Sequence, residues 1–567
     1  MTFEYPRPWL TSYAPGVPHE IELPTESLLD IVDESVKNYP HSTALEFFGA
    51  TTTYEQLGDQ VARAAEGLRK LGVKKGDPVA IILPNSPQHI VAFYAVLRLG
   101  AIVVEHNPLY TPRELRHQFE DHGAKVAIAW TKVVPTLHDF PRDIALSTIV
   151  SVDVTRAMPM MTRAMLRLPI AKAREARSNL TMRVSGTVKW QTLVSADPIA
   201  AEIPRPDAND VAVIQYTSGT TGHPKGATLT HLNLSVNAAQ ARAWVPTIER
   251  GSAVVYAVLP MFHAYGLTLC LTFAMSMGAR LVLFPKFDPD LVLKAVRKHP
   301  PTFLPAVPPI YEKLMAAATA QRVSLDGIQI AISGAMPLTA ALVELWEAET
   351  DGYLVEGYGL SETAPVLMAN PVSPTRRAGT VGLPLPNTEI RVVDPDNPTQ
   401  DRAEGEEGEL IVRGPQVMNG YWNKPDETAA VFVPDGHGGD PWFRTGDVVT
   451  VDADGFVRIV DRIKELIITG GFNVSPSEVE EALRTHPDVA DAAVVGLPSD
   501  HSGEDVVAAV VLREGVAPDE EGIRTFLRGE LTPYKVPRRV IAVDELPKSL
   551  IGKTLRRVVR ESLLQQG

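Results

Sequence analysis

The sequence has a single cysteine, Cys270, among its 567 residues. One cysteine cannot form a disulfide within the chain, and it excludes a metal cluster built from cysteine ligands. Its apolar neighbours Leu269, Leu271 and Phe273 favour a buried, inert thiol over a reactive nucleophile. Such low cysteine usage is typical of the cytosol, so we predict a cytoplasmic protein, with a peripheral position at the inner face of the membrane as a further option.

Positive charge is also in deficit. The chain has 54 basic and 68 acidic residues, and its formal net charge is −14. An acidic surface repels the phosphate backbone, so no nucleic-acid partner is expected. The N-terminus, MTFEYPRPWL, lacks a basic stretch followed by an apolar core, so we expect no secretory signal.

Residues 251–279 contain no Lys, Arg, Asp or Glu and are numerous enough to span a bilayer. Pro260, His263, Ser276 and several glycines interrupt this segment. We therefore predict a strand, a loop and a buried helix here rather than a membrane span.

The opposite bias occurs in residues 156–189, where eight basic residues accompany one acidic residue, Glu175, together with several Met and Leu residues. The first interpretation is a solvated pair of surface helices broken at Pro169. The alternative is peripheral contact with a membrane surface or an acidic partner.

Strands and helices alternate along the chain. The sequence Thr53-Tyr-Glu-Gln56 predicts a capping box that opens a helix ending before Gly72. A strand at 78–83, a helix around 89–99 and a strand at 101–104 follow. This alternation predicts an α/β fold with layered sheets and helices, and the length predicts several lobes.

A boundary is predicted near residues 461–465, after the turn-rich segment 452–455. Beyond it, Ser475 is a candidate N-cap with Glu478 placed to complete a capping box. We predict a large N-terminal domain of residues 1–460, a hinge at 461–465 and a small α+β domain of residues 466–567.

The most informative stretch is YTSGTTGHPKG, residues 216–226. An apolar run at 211–214 precedes it, which predicts a strand leading into a loop whose backbone N–H groups bind an anion. The loop offers small and hydroxyl residues and one ammonium group. These are Thr217, Ser218, Gly219, Thr220, Thr221, Gly222 and Lys225. His223 and Pro224 separate Gly222 from Lys225, so the loop is not a Walker A sequence. A surface turn is the alternative to a phosphate site.

This stretch resembles the phosphate-loop signature of the adenylate-forming enzymes, the superfamily of acyl-CoA synthetases, peptide-synthetase adenylation domains and beetle luciferases. Further motifs follow in the family's order and extend the resemblance over essentially the whole chain. They are SGAMP at 333–337, GYGLSET at 357–363, WFRTGD at 442–447, DRIKE at 461–465 and PKSLIGK at 547–553.

The resemblance implies ATP and Mg²⁺ as cofactors and coenzyme A as co-substrate. Tyr358 would stack on adenine, Thr363 would meet phosphate and Glu362 would hold the magnesium ion. A flat ring and a hard oxygen suit these roles. Small residues that allow close approach to the nucleotide complete this set. They are Gly334, Ala335, Gly357 and Gly359.

In the C-terminal motifs, Asp447 and Arg462 would both contact the ribose, and Lys553 would be the catalytic lysine. A carboxylate that attacks the α-phosphate of ATP is repelled by roughly 4 kcal/mol per charge pair at about 4 Å. Lys553 and Mg²⁺ would offset that repulsion.

A second step with a thiol requires Lys553 to withdraw. The resemblance therefore implies that the C-terminal domain is mobile and rotates about the hinge, with Asp461 in the hinge and Lys464 as its pivot. The residues Gly470, Gly471 and Phe472 would then line the tunnel that admits the CoA arm.

The segment LPMFHAYG, residues 259–266, resembles the family's acyl pocket, with His263 near the substrate carboxylate. A buried core histidine is the alternative. Ala264, Gly266 and Ala306 are small and suit a hydrocarbon tail. No aspartate lies between Leu259 and Leu271, which disfavours amino-acid substrates.

The whole chain looks like a bacterial long-chain fatty acyl-CoA synthetase. The implied activity is an ATP-dependent, AMP-forming fatty acid:CoA ligase, and a homodimer is a family-level expectation. The alternatives are an acyl-AMP ligase that delivers to a carrier protein, a ligase for medium-chain or aryl acids, and a lipid-binding protein without catalysis. The tryptophan gate of some members is missing near Leu267, which puts that gating mechanism in doubt.

Overall fold

The computed structural model describes residues 5–217, 224–469, 472–499, 503–549 and 552–566. These residues form two compact units. The larger unit comprises Leu10–Thr388 and Arg413–Ala430. The smaller unit comprises the described residues within Met1–Trp9, Glu389–Val412 and Val431–Gly567.

The strands are short and mostly rich in buried aliphatic residues, as expected for sheets covered on both faces. In chain order they are β1 (Thr43–Phe47), β2 (Ala50–Thr53), β3 (Pro78–Ile82), β4 (Ile102–Glu105), β5 (Val126–Trp130), β6 (Thr148–Val152), β7 (Val188–Lys189), β8 (Val211–Thr217), β9 (Lys225–Thr230), β10 (Val254–Ala257), β11 (Arg280–Leu283), β12 (Phe303–Ala306), β13 (Ile330–Ser333), β14 (Tyr353–Gly359), β15 (Val366–Ala369), β16 (Leu383–Pro384), β17 (Glu389–Val393), β18 (Gly408–Arg413), β19 (Gly420–Tyr421), β20 (Phe432–Val433), β21 (Trp442–Val451), β22 (Val457–Arg462), β23 (Ile467–Thr469), β24 (Phe472–Val474), β25 (Val489–Ser499), β26 (Gly503–Leu512) and β27 (Arg539–Ala542).

The helices alternate with the strands. They are α1 (Leu29–Asn38), α2 (Tyr54–Lys70), α3 (Pro87–Arg98), α4 (Pro112–His122), α5 (Val134–His138), α6 (Met160–Met165), α7 (Ala171–Leu180), α8 (Trp190–Val194), α9 (His231–Trp244), α10 (Ala264–Gly266), α11 (Phe273–Met277), α12 (Pro289–Val296), α13 (Pro308–Gln321), α14 (Ala340–Thr350), α15 (Pro425–Ala429), α16 (Pro476–Arg484), α17 (Glu520–Glu530) and α18 (Arg556–Gln566).

The described residues of the larger unit form two sheets. The first has the strand order β16-β15-β14-β13-β12-β10-β11-β1-β2, and its strands from β14 to β1 run parallel. The second has the order β19-β9-β8-β4-β3-β5-β6-β7, parallel from β8 to β7. The predicted α/β fold with layered sheets and helices is confirmed.

The parallel strands of the first sheet bring the predicted motifs to one edge. His263 follows β10, Ala306 ends β12, Gly334 follows β13, and Gly357 and Tyr358 lie near the end of β14. Because carboxyl ends of parallel strands share an edge, ligands of such sheets bind there. Sequence motifs that lie far apart along the chain therefore meet.

Two local predictions in the larger unit are confirmed. The Thr53 hydroxyl accepts from the Gln56 N–H at 3.2 Å, and the Gln56 side-chain carbonyl accepts from the Thr53 N–H at 3.1 Å, which completes the capping box of α2. The uncharged segment 251–279 contains β10, α10, a π-helical turn at Leu267–Thr272 and α11. Among the described residues, no helix is long and apolar enough to cross a membrane.

The smaller unit also contains two sheets in its described part. One has the order β17-β18-β21-β20 with β22 paired to β21, and the other has the order β24-β23-β26-β25 with β27 paired to β26. Helices α16 and α18 contact β25, and α17 contacts β27. Residues 461–465 lie within this unit, so a hinge at this position stays a prediction.

The predicted N-cap of α16 is confirmed, because the Ser475 hydroxyl accepts from the Glu478 N–H at 3.2 Å. The predicted reciprocal bond of the capping box is wrong. The Glu478 carboxylate instead accepts from the Lys535 ammonium at 2.6 and 2.7 Å. An oppositely charged group at hydrogen-bond distance gives the carboxylate a stronger partner than a backbone N–H.

Candidate active site

A mostly apolar cavity lies at the carboxyl edge of the first sheet. Its walls combine residues from three predicted motifs with aliphatic and aromatic neighbours. The predicted residues are His263, Ala264, Gly334, Ala335, Gly357, Tyr358 and Gly359. Trp244, Leu269, Phe303, Ile332, Val366 and Leu385 are among the other lining residues. The structure thus brings the proposed adenine-binding and acyl-binding motifs to one cavity.

The close packing of this wall explains its small residues. A Cβ atom on Gly359 would lie 1.8 Å from the Pro365 carbonyl oxygen, which no side chain tolerates. A Cβ atom on Gly334 would lie 3.2 Å from the Tyr265 ring. Ala335 has a φ of 65°, a left-handed conformation that costs energy for a residue other than glycine.

His263 opens α10 on the cavity wall. Its Nδ1 accepts from the Tyr265 N–H at 3.3 Å, and burial lowers the pKa of the imidazole to about 4. The ring is therefore neutral near pH 7. Since Nδ1 is an acceptor, the proton of the neutral ring is assigned to Nε2, which makes Nε2 a hydrogen-bond donor.

Asn85 fixes the segment that carries His263, a role that the sequence did not reveal. Its side-chain amide donates to the carbonyls of Ala257 and Leu259 at 3.0 and 2.7 Å, and its carbonyl accepts from the Met261 N–H at 2.9 Å. Asn85 is buried and lies more than 170 residues before these partners. No local pattern could have pointed to it.

Two predicted acyl-pocket residues are not among those lining the cavity. Gly266 packs against backbone, and a Cβ atom there would lie 2.2 Å from the Pro260 carbonyl oxygen. Ala306 belongs to the adjacent core, and its carbonyl accepts from the Tyr265 hydroxyl at 3.0 Å. A direct role for either residue in holding the acyl chain stays a prediction.

Strands β8 and β9 flank the predicted phosphate loop. Thr217 at the end of β8 pairs with Lys225 at the start of β9, so the loop connects antiparallel strands. The predicted strand before the loop is confirmed. The loop residues themselves lie outside the described part of the chain, and they include the predicted Ser218, Gly219, Thr220, Thr221 and Gly222.

Tyr421 links two of the predicted residues. Its hydroxyl donates to Glu362 Oε1 at 2.9 Å, and the Lys225 ammonium lies 5.0 Å from the centre of its ring. Burial and the neighbouring Glu362 charge raise the pKa of Tyr421, so its hydroxyl stays protonated. The lysine of the phosphate loop and the proposed magnesium ligand are thereby connected through a tyrosine that the sequence analysis missed.

Backbone contacts fix Glu362 and its neighbour. The Glu362 carbonyl accepts from the Met418 N–H at 2.8 Å. The buried Thr363 hydroxyl lies 2.6 Å from the Pro365 carbonyl and 3.1 Å from the Leu360 N–H. Thr363 is therefore hydrogen-bonded within its own turn, and its predicted contact with phosphate stays a prediction.

Glu356 is a half-buried acid that the sequence analysis did not single out. It precedes Gly357 on β14, and its carboxyl group accepts from the Leu338 N–H. Burial raises its pKa to about 8, an effect that the hydrogen bond only partly opposes. Strongly perturbed acids cluster at functional sites, so Glu356 adds a neutral carboxyl group at neutral pH beside the motif.

The predicted ribose-binding pair lies within the smaller unit. Asp447 on β21 and Arg462 on β22 occupy paired positions, and the Arg462 Nε lies 2.8 Å from the Asp447 Oδ1. Asp447 is almost fully buried, whereas a third of the Arg462 side chain is exposed. The structure brings these two residues together, and their contact with a ribose stays a prediction.

Lys553 is influenced by the same pair. Its pKa is lowered, first by desolvation and then by the like charge of Arg462, while Glu465 and Asp447 act in the opposite direction. The residue retains exposed surface. The electrostatic surroundings of Lys553 thus include both predicted ribose ligands.

Asp461 is a structural carboxylate as well as a predicted hinge residue. It is buried and accepts from the Ser475 hydroxyl at 2.6 Å, the Ser477 N–H at 2.9 Å and the Arg462 N–H at 2.7 Å. Its fourth donor is Arg556, at 3.4 Å. The composition of the segment gave no sign of this network.

Arg556 joins three acids at the start of α18. It forms ion pairs with Asp461, with Glu465 and with Glu480, the last at 2.8 Å. Burial alone would lower the pKa of its guanidinium, but the bond to Glu480 and the other carboxylates raise it. Lys464, the predicted pivot, lies in the turn Ile463–Glu465 and is exposed.

The predicted CoA-binding residues are largely undescribed. Gly470 and Gly471 lie outside the described residues, and Phe472 begins β24. Their predicted contact with the CoA arm is untested.

Comparison with known proteins shows which family the chain belongs to. The family described as AMP-binding enzyme matches residues 32–422, and its C-terminal domain matches residues 478–553. The chain belongs to the AMP-binding enzyme family. Membership in this family confirms the resemblance inferred from the motifs.

Several members of the AMP-binding family match the chain over its full length. A long-chain-fatty-acid–CoA ligase of Bacillus subtilis is 38% identical over 566 residues, covering 98% of each chain. An Escherichia coli protein of the same name is 36% identical over 559 residues, with the same coverage. Among solved structures, ATP-bound MatB from Rhodopseudomonas palustris has a TM-score of 0.81 at 29% identity, covering 95% of this chain and 99% of that one.

Proposed function

We propose that the protein is an ATP-dependent, AMP-forming ligase that joins long-chain fatty acids to coenzyme A. The observation that carries the proposal is the cavity where His263, Tyr358 and the small residues of two motifs converge. Full-length similarity to long-chain-fatty-acid–CoA ligases supports the choice of substrates.

In the first step, a carboxylate oxygen of the acid would attack the α-phosphorus of ATP. A phosphorus–oxygen bond forms, the bond to the β-phosphate breaks and pyrophosphate leaves. In the second step, the CoA sulfur would attack the acyl carbonyl. The bond to AMP breaks, AMP leaves and the thiol proton passes to solvent.

His263 would orient the acid rather than act as a base. With a pKa of about 4, the imidazole carries no second proton at neutral pH, so it is uncharged and cannot form an ion pair with a carboxylate. Its Nε2 proton can still donate a hydrogen bond to a carboxylate oxygen. A neutral donor positions the carboxylate without a positive charge that would lose its partner once the carboxylate forms the acyl-adenylate.

Glu362 fits a magnesium ligand. Its Oε1 accepts from Tyr421, and a carboxylate has further lone pairs on both oxygens that a cation can share. No cluster of three or more His, Cys, Asp and Glu suited to a metal occurs in the described ranges. Magnesium needs no such cluster, because it is commonly held by one or two carboxylates and substrate phosphates. The bound ion would neutralise phosphate charge during attack.

In the proposed reaction, Asp447 and Arg462 would contact the ribose and Lys553 the reacting phosphate. Lys553 would stabilise the charge that develops as pyrophosphate leaves. We further propose that residues 461–465 are the hinge between a domain of residues 1–460 and a mobile domain of residues 466–567. Gly470, Gly471 and Phe472 would serve the second step.

The apolar walls favour a hydrocarbon tail over a polar acid. Phe303, Leu269, Ile332 and Val366 would contribute this surface. A rice 4-coumarate–CoA ligase is 34% identical over 523 residues, which makes an aromatic acid the competing substrate class. We also propose a cytoplasmic location, peripheral contact with the membrane through residues 156–189 and a homodimer.

The test measures pyrophosphate release with ATP and Mg²⁺ for acids from acetate to oleate and coumarate, with and without CoA, while mass spectrometry follows the products. Acyl-CoA formation that peaks with long-chain acids is expected. A peak with coumarate would reassign the substrate, and acyl-adenylate that persists despite CoA would indicate transfer to a carrier protein. If no acid in the series causes pyrophosphate release, the assignment of ligase activity is rejected.

A further inference from the structure

The basic segment folds as a helix pair that has almost no core of its own. Helix α6 buries no residue, and α7 buries only Ala173, within the described range 159–180. Helices this short gain stability mainly by packing an apolar face. Here the large apolar side chains point into solvent.

The segment carries several large apolar residues that are exposed, which we call its apolar cluster. Met160 is 82% exposed and Met161 is 79% exposed. Met161 and Met165 are four residues apart on α6, so they lie on the same helical face. The other exposed members are Leu168, Ile170 and Met182. Large exposed apolar patches mark surfaces that bind proteins or membranes.

Basic residues are interspersed with this apolar cluster along the segment. The exposed ones are Arg167, Lys172, Arg174, Arg177 and Arg183, and Arg163 is half-buried. None of these six forms an ion pair with a described residue, although the chain as a whole is strongly acidic. Only Glu175 opposes them within 156–189. Their charge is therefore available to an external anion.

The cluster is held in place at both ends. Met158 before α6 is buried. At the far end, the Trp130 indole donates to the Leu180 carbonyl at 2.7 Å and Lys132 donates to the Ser178 carbonyl at 2.8 Å. These contacts attach the end of α7 to the end of β5. The apolar and basic side chains are thus presented by an anchored element.

We propose that residues 159–183 form a docking surface for an anionic lipid bilayer, which we call the lipid-docking surface. Exposed methionine, leucine and isoleucine side chains would enter the boundary between headgroups and acyl chains, and the arginine and lysine side chains would pair with lipid phosphates. An acidic protein would explain the basic residues but not six exposed aliphatic side chains.

This inference rests on the proposed function only in what docking would achieve, which is access to the acid substrate. Each CH₂ group favours an apolar environment by about 0.8 kcal/mol, so long-chain acids concentrate in membranes. A ligase that docks on the bilayer would collect its acid there. Binding to vesicles can nevertheless be measured without any catalysis.

The test is cosedimentation of the full-length protein with phosphatidylcholine vesicles, with and without phosphatidylglycerol. We expect binding to the anionic vesicles that weakens as salt is added. The variant R163E/R167E/R174E removes three cationic contacts, each worth roughly a factor of five, so its partition should fall by at least about 100-fold. The variant M160S/M161S/M165S should also bind less, because its apolar contact is lost.

The matched control is K294E/R297E/K313E, which reverses three basic residues that are also exposed. Its vesicle binding should stay close to that of the parent protein. Circular dichroism checks that each variant folds. Absence of binding to anionic vesicles, or an equal loss in the control, would overturn the proposal and leave an acidic protein as the remaining partner class.

A kinetic arm separates this inference from the ligase assignment. The docking variants should lose activity on acid presented in anionic vesicles while keeping kcat/KM for a short soluble acid. Equal loss on both acids would place the effect in the active site and overturn the docking role. If the parent protein has no ligase activity, the sedimentation result still shows whether the lipid-docking surface binds anionic vesicles.

Discussion

Replacing Tyr421 by phenylalanine removes one atom from the proposed magnesium site. The lost hydroxyl donates to Glu362 at 2.9 Å, while the ring that faces Lys225 is kept. Hydrogen bonds to a charged group contribute about 1.5–3 kcal/mol. That free energy corresponds to a fall in kcat/KM of roughly tenfold to 150-fold if Glu362 holds the ion during catalysis.

The signature that separates a metal role from general damage is the dependence on Mg²⁺. The Tyr421→Phe protein should need more Mg²⁺ to reach half of its maximal rate, because its Glu362 carboxylate loses the hydrogen bond from Tyr421. The control is Tyr54→Phe, which also removes a buried hydroxyl, bonded at 2.7 Å to the Ala279 carbonyl. It should leave the Mg²⁺ dependence unchanged.

A Tyr421→Phe protein with unaltered kcat/KM and Mg²⁺ dependence would refute this reasoning. A double-mutant cycle with Glu362→Gln gives a second check, because two residues that act through one hydrogen bond have non-additive effects. Additive losses would mean that Tyr421 acts elsewhere.

Three further predictions concern folding and the two half-reactions. Arg556→Met should lower the free energy of unfolding of the smaller unit by about 3–5 kcal/mol in urea titrations, because it strands buried carboxylates, whereas the partly exposed Arg560→Met should cost far less. His106 is buried, and burial lowers the pKa of its imidazole from an ordinary 6.5 to about 4. Between these two pH values the unfolded chain binds a proton at His106 that the folded chain does not, so the free energy of unfolding falls as the pH drops from 6.5 towards 4. In the His106→Asn protein, the decrease in the free energy of unfolding on acidification should be smaller by up to about 3 kcal/mol, measured by denaturation at each pH. Lys464→Pro should impair thioester formation more than adenylate formation in separate half-reaction assays, and equal loss would argue against a pivot there.

The sequence predicted the elements whose causes are local. The Thr53 capping box depends on side chains three residues apart, and it formed as expected. The uncharged segment 251–279 was interpreted correctly as a buried strand and helix because proline and polar residues interrupt it. Motif residues such as Tyr358 and His263 were found because each lies in a continuous pattern.

Residues that act across long sequence separations could not be predicted. Tyr421 contacts Glu362 from 59 residues away, and Asn85 fixes a segment more than 170 residues further on. Nothing near either residue distinguishes it from other tyrosines or asparagines. Glu478 shows the converse failure, since a correct local pattern was overridden by Lys535, which approaches only in the folded chain.

The buried carboxylate of Asp461 has a consequence for any rotation of residues 466–567. Its backbone is paired with Val448 in the ladder between β21 and β22, while Ser475, Ser477 and Arg556 grip its side chain. One residue is therefore fastened to both sides of the predicted hinge. A rotation within 461–465 would have to break either the pairing of β21 with β22 or the side-chain contacts of Asp461. The motion would then be a transition between two discrete conformations, separated by a barrier to which the loss of these contacts contributes.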